Sequence, residues 1–211
     1  MRRDQLEHAI RAACQITNQL EVIVVGSQAI LGSYPEYELP MLATRSLEVD
    51  VLPITDDNNE TIRLADLIVG VAGEFSPFEQ QHGFSIDGVD LTTSALPEGW
   101  RIRLVKVQNE NTAAPSGQPR YIGWCLDKED LCVAKLCSFR EKDRNFVDAL
   151  IADGLVDPQV IATRIKTAPG ATVRALSVRP HGSNTVAGLT NNVRLAGRDS
   201  PTTLKAAMKN P

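Results

Sequence analysis

Val22-Ile23-Val24-Val25-Gly26-Ser27-Gln28-Ala29-Ile30-Leu31-Gly32 is followed, after a loop holding Pro35 and Pro40, by Arg45-Ser46-Leu47-Glu48-Val49-Asp50-Val51-Leu52. The first stretch is a short apolar run that ends in a Gly-Ser turn. It reads as a buried strand delivering a helix start, with Ser27 suited to cap that helix. A glycine in such a turn admits close approach of a ligand's phosphates to the backbone, and free N–H groups at the helix start favour an anion. The second stretch alternates. Leu47, Val49 and Val51 take one face of a strand and Glu48 and Asp50 the other, roughly 6.5–7 Å apart along the chain. Two carboxylates at that spacing suit one divalent ion, or a metal pair about 3.5–4 Å apart. A half-exposed strand with two solvated acids explains the same alternation.

Outward from this pair, Asp4 to Leu20 has Leu6, Ala9, Ile10, Ala13, Ile16 and Leu20 at helical spacing. Ser33 to Thr44 reads as a surface loop. Asp56-Asp57-Asn58-Asn59-Glu60 supplies acidic and capping residues to a helix over Thr61–Val71, a better account of that cluster than metal binding. Phe84 to Thr93 reads as a strand kinked at Gly88. Arg101–Val107 and Tyr121–Leu126 read as two more strands. The pattern then turns helical over Lys128–Arg140, Glu141–Ala152 and Pro158–Lys166. These elements predict an α+β fold, an α/β-type mixed sheet with a C-terminal helical segment. The expected layout is a core over 1–126, helices packing on it over 127–168, and a flexible, mildly basic tail over 169–211.

The 211 residues suit one medium domain, and 43% apolar residues suffice for a core. A net charge of −4 gives no global basic field, so a nucleic-acid partner needs a local patch. No stretch is long and apolar enough for a membrane span or a signal peptide, and a cytoplasmic protein with no membrane partner is expected. Cys14, Cys125, Cys132 and Cys137 form no C-x-x-C pair and read as reduced thiols. His8, His82 and His181 are scattered, which argues against zinc. The Gly-Ser turn is not a P-loop, because no Gly-Lys-Ser/Thr follows it. Gly26 and Gly32 lack the intervening glycine of a dinucleotide fingerprint.

Three further positions carry chemistry. Asp90, in Gly88-Val89-Asp90-Leu91-Thr92, offers a third carboxylate that completes a metal site or takes a proton from an attacking hydroxyl. Asp87, next to Gly88, reads as turn. Lys135 stands in the otherwise apolar Leu131–Phe139 and shares a helix face with both of those residues. A lysine there either snorkels to the surface or faces an anion. Arg140-Glu141-Lys142-Asp143-Arg144 reads as a solvated helix junction.

Together these residues resemble the nucleotidyltransferase superfamily with the polymerase-beta-like core. Within it they look most like the AbiEii-type enzymes of abortive infection and toxin–antitoxin systems and related bacterial proteins. The likeness runs from about Asp4 to Lys166. It rests on Gly26-Ser27, on Arg45-Ser46-x-Glu48-x-Asp50, and on Asp130 through Lys135, Arg140 and Asp143, with Asp148 a further match. The resemblance implies Gly26, Ser27, Arg45 and Arg140 as nucleotide-binding residues, and Glu48, Asp50 and Asp90 as ligands of Mg²⁺ or Mn²⁺. It implies Glu48, Asp50, Asp90 and Lys135 as catalytic. It implies transfer of an NMP from an NTP to an RNA (tRNA) or protein hydroxyl, with an antitoxin protein as a further partner. Glu48 and Ser46 stand where the family prefers Asp and Thr. The longer Glu48 arm keeps a second reading open, a weak or inactive nucleotidyltransferase fold that only binds.

Overall fold

The computed structural model describes residues 1–169; from residue 170 on, the expected basic tail lies outside the described residues. Helix α1 spans Arg3–Thr17 and buries Leu6, Ala9, Ile10 and Ala13, as its spacing predicts. It stops short of Leu20 because Asn18 turns left-handed, φ 55°, and its N–H returns to the carbonyls of Cys14 and Gln15. Strand β1 is Glu21–Val24. The segment expected as loop holds short helical pieces, a 3-10 turn Glu36–Glu38 and helix α2, Met41–Thr44. Strand β2 is Glu48–Pro53 and helix α3 Asn58–Ala72, capped by the Asp57 carboxylate on the Asn59 N–H at 3.3 Å.

Helix α4, Pro77–His82, is absent from the sequence reading. Ser76 caps it and Pro77 starts it. His8, Phe78, His82 and Phe84 pack their rings together and hold it against α1. Strand β3 is only Ser85–Gly88. Of the expected strand 101–107, Trp100–Arg103 is a 3-10 turn, and only Val105–Val107 pairs, as β4. Strand β5 is Ile122–Cys125, followed by helices α5, Lys128–Ser138, α6, Glu141–Ala152, and α7, Pro158–Arg164.

Among the described residues the strands form one mixed sheet in the order β3-β2-β1-β5-β4. β1 runs antiparallel to β2 and parallel to β5, β2 is parallel to β3, and β4 antiparallel to β5. The fold is α+β, as expected. Gly123 lies against Ile10 of α1, and Gly88 against the Ala65 backbone of α3. These contacts mark the sheet face that α1 and α3 cover. Val49, Val51 and Ile86 share that face and are fully buried. Each such aliphatic side chain contributes about 1.5–3 kcal/mol. Strand alternation turns Glu48, Asp50 and Asp87 to the other face. Leu131, Val133, Val147, Leu150 and Ile161 of α5–α7 join the sheet in one core. All four cysteines are free thiols, and burial pushes those of Cys14 and Cys125 up to about 12. No helix among the described residues is long and apolar enough to cross a membrane.

Candidate active site

The ladder between β2 and β3 places Glu48 beside Ser85 and Asp50 beside Asp87. Glu48, Asp50 and Asp87 each offer a carboxylate oxygen, and the three lie within 4.8 Å of one another. The third acid is therefore Asp87, not Asp90. β3 ends at Gly88, so the expected alternation through Asp90 is never built. The Asp90 carboxylate accepts the N–H and the O–H of Thr92, each at 2.6 Å, and those bonds hold it below the usual carboxylate range.

The turn after β1 meets this cluster. A Cβ placed on Gly26 would stand 1.4 Å from Oδ2 of Asp50, so only glycine lets the turn lie against that carboxylate. Gly26, with φ −83°, caps the 3-10 turn Ser27–Gly32, and its carbonyl accepts the Ala29 N–H at 2.9 Å. Ser27 is the first residue of the turn rather than its cap. The turn's contribution to an anion is thus a set of local N–H and O–H donors, not the dipole of a long helix.

Burial first, and then the neighbouring Asp50 and Asp87 charges, raise the Glu48 carboxyl above its ordinary value, against the pull of Lys142. Burial likewise raises Asp50, with Asp87 adding to the effect and Lys135 and Arg140 opposing it. Burial raises Asp87. Burial is the largest cause at all three, and Lys142, Lys135 and Arg140 offset it only in part. That donor set, all oxygen and all anionic, fits a hard divalent cation such as Mg²⁺ or Mn²⁺.

Lys135 does not snorkel. Its side chain is 13% exposed, and Nζ lies 3.2 Å from Oδ1 of Asp143. Arg140 Nε donates to Oδ2 of Asp143 at 2.7 Å, and the Ser138 hydroxyl shares that oxygen. Burial opposes ionisation of Asp143, but Ser138, Lys135 and Arg140 together hold its carboxyl below the ordinary range. The junction is solvated at Arg140, Glu141 and Lys142, as expected, but at its centre the buried Asp143 gathers Lys135 and Arg140. Arg45 is exposed, and its side chain makes no hydrogen bond or ion pair among the described residues.

One residue of the centre is read as turn from the sequence and another is not read at all. Asp87 was visible as an acid within a β-prone stretch, but its neighbour Gly88 suggested a turn. Gln28 carried no sequence signal. It is fully buried, its Nε2 donates to the Ser46 carbonyl at 3.2 Å, and its Oε1 is the one buried side-chain N or O atom without a hydrogen-bond partner among the described residues. An unmet buried acceptor costs about 1–3 kcal/mol.

A mixed sheet presenting a Gly-Ser turn against clustered carboxylates, with a lysine-bearing helix opposite, defines the class of nucleotidyltransferase-type folds. The family described as nucleotidyltransferase of unknown function (DUF6036) matches residues 4–177, and the chain belongs to that family. No curated protein and no solved structure matches it.

Proposed function

We propose that the protein is a metal-dependent nucleotidyltransferase that moves an NMP from an NTP to a hydroxyl of an RNA, such as tRNA, or of a protein. What carries the reading is the convergence of Glu48, Asp50 and Asp87 within 4.8 Å at a cluster that Gly26 lines. Glu48, Asp50 and Asp87 would hold Mg²⁺ or Mn²⁺. A divalent cation bound there supplies charge neutralisation of the triphosphate and Lewis-acid polarisation of the transferred group.

The chain's own residues do the rest. Gly26 and Ser27 bind the β- and γ-phosphates through backbone N–H and hydroxyl donors. Lys135 and Arg140, steadied by Asp143, bind and orient phosphate oxygens, and Arg45 reaches the ligand from the rim. The acceptor oxygen attacks the α-phosphorus in line, the bond to the bridging oxygen breaks, and pyrophosphate leaves. Asp87 takes the hydroxyl proton. Its place beside Asp50 on the β2–β3 ladder gives it the part expected of Asp90. Catalysis of this kind is positioning and charge stabilisation.

The AbiEii likeness supports a place in phage defence or a toxin–antitoxin pair, in the cytoplasm, with a protein antitoxin. The longer Glu48 arm favours a second reading, a fold that binds nucleotide and transfers nothing. Incubation of the full chain with each α-³²P-labelled NTP, Mg²⁺, total RNA and a protein extract separates them. Label on RNA or protein that Asp50→Asn abolishes supports the enzyme. NTP binding by calorimetry without label transfer supports the binding module. Neither binding nor transfer overturns both.

A further inference from the structure

We propose that Gln28 is the positioning residue of this centre: its amide ties the segment leading to Glu48 onto the Gly26–Ser27 turn, and so sets where the Glu48 carboxylate meets Asp50 and Asp87. The inference rests on the reading of the centre as a divalent-cation and triphosphate site.

The sheet holds Glu48 on one side only. β1 ends at Val24, whose partner on β2 is Val51, and the last bond in that direction runs from the Val25 N–H to the Asp50 carbonyl. Toward β3, the Ser85 N–H reaches the Leu47 carbonyl at 2.9 Å. Nothing of β1 extends as far as Glu48. The side chains of Gln28 and Ser46 occupy that gap. Gln28 Nε2 donates to the Ser46 carbonyl at 3.2 Å, and Ser46 Oγ accepts the Glu48 N–H at 3.2 Å. A two-bond path therefore runs from the phosphate turn to the first acid. Gly26, two residues before Gln28, closes the other side of the same centre against Asp50.

The unmet Oε1 atom says why a glutamine stands there. Turning the amide over brings no relief, because Oε1 would then face the Ser46 carbonyl, acceptor against acceptor. Methionine fills similar volume without a buried polar atom, so burial and packing alone would favour it. A residue that holds geometry at the expense of stability is the mark of a functional site.

Mn²⁺ binding to the full chain, read by the electron paramagnetic resonance signal of free Mn²⁺ alongside thermal unfolding, tests this. For Q28M the dissociation constant for Mn²⁺ is expected to rise about tenfold, the scale on which outer-shell partners tune a metal site, while Tm stays level or rises. S46A is expected to weaken binding in the same direction. Because both changes cut one path, the double variant binds no more weakly than the weaker single. Q28M that binds Mn²⁺ as the unaltered chain does overturns the proposal. So does Q28M with a lower Tm, or additive losses in the double variant, which mark a merely structural side chain. If the unaltered chain does not bind Mn²⁺, the reading of the centre falls and the Gln28 role with it. Binding by the unaltered chain with no change in Q28M removes the Gln28 role alone.

Discussion

Helix α5 has a charged cluster at each end, and the two are built on opposite terms. At its start, Asp130 is fully buried and doubly paired. Arg103 donates to it from Nε at 2.8 Å and from Nη2 at 3.1 Å, and Arg164 from Nη1 at 3.0 Å, with Arg164 also reaching Asp127. One buried carboxylate there meets two guanidiniums from distant parts of the chain, and the cluster joins the 3-10 turn at Trp100–Arg103, α5 and α7. Near the end of α5, Lys135 and Arg140 act on Asp50 of the three-carboxylate cluster, yet both cations are already engaged by Asp143. Glu48, Asp50 and Asp87 all hold their protons more tightly than usual. The balanced cluster is costly to break. The unbalanced one is costly in the fold and useful to a cationic ligand.

That contrast breaks most sharply at its two central residues. Asp130→Ala leaves Arg103 without a carboxylate partner and Arg164 with Asp127 alone, and is expected to cost about 3–5 kcal/mol, read as a loss in chemical unfolding. Asp50→Asn removes charge from the unbalanced cluster. It is expected to lower nucleotide transfer on the order of 10³-fold while the metal-free Tm does not fall. A drop in Tm for Asp50→Asn like that for Asp130→Ala would erase the distinction.

Gly26→Ala comes next. Its Cβ has no room beside Oδ2 of Asp50, so turn or carboxylate must move. A misplacement of this order lowers transfer about 10²-fold in a steady-state assay, with a smaller loss of stability, about 1–3 kcal/mol.

A pH series sharpens the comparison further. The folded-state values of Glu48, Asp50 and Asp87 lie above their unfolded values of about 4. Such groups stabilise the fold when protonated, and that contribution is lost as pH rises through the folded values. The three acids therefore add to metal-free stability as pH falls below about 7, while His8, held down to about 4 by burial, takes stability away over the same range. The Tm excess of Asp50→Asn over the unaltered chain, which isolates the acid, is expected to shrink as pH falls. Asp143 has the opposite sign. Its lowered value gives stability that is present above the unfolded value and lost only in stronger acid. The smallest effect belongs to Asp90→Asn, which is expected to leave Mn²⁺ affinity and transfer within about twofold of the unaltered chain, whereas Asp87→Asn lowers both.

Much of this was legible because period and chemistry coincide in β2. Val49 and Val51 on one face leave Glu48 and Asp50 no place but the other. Lys135 stood out against an apolar helix for the same reason. The misreading at Asp87 has a definite cause. Gly88 was taken for a kink, but it lies within β3, where the close approach of the Ala65 backbone leaves no room for a Cβ. Moving the site from Asp87 to Asp90 is an odd-numbered slip, which exchanges the faces of a strand. The alternation of Ile102 and Leu104 likewise suggested a strand, yet Ile102 is 89% exposed and Arg103 is drawn to Asp130, which lies 27 residues further on. No local pattern encodes that pairing. Helix α4, by contrast, was missed although Ser76-Pro77-x-Glu79 offers its signal, a cap followed by a proline at the first turn.

The most direct measurement is anomalous scattering from crystals of the full chain grown with Mn²⁺ and a non-hydrolysable NTP analogue. The expected result is a manganese peak among the Glu48, Asp50 and Asp87 carboxylates, with the triphosphate against Gly26 and Ser27. A nucleotide bound elsewhere, or manganese at Asp90 and none at the three acids, would contradict the assignment of this centre.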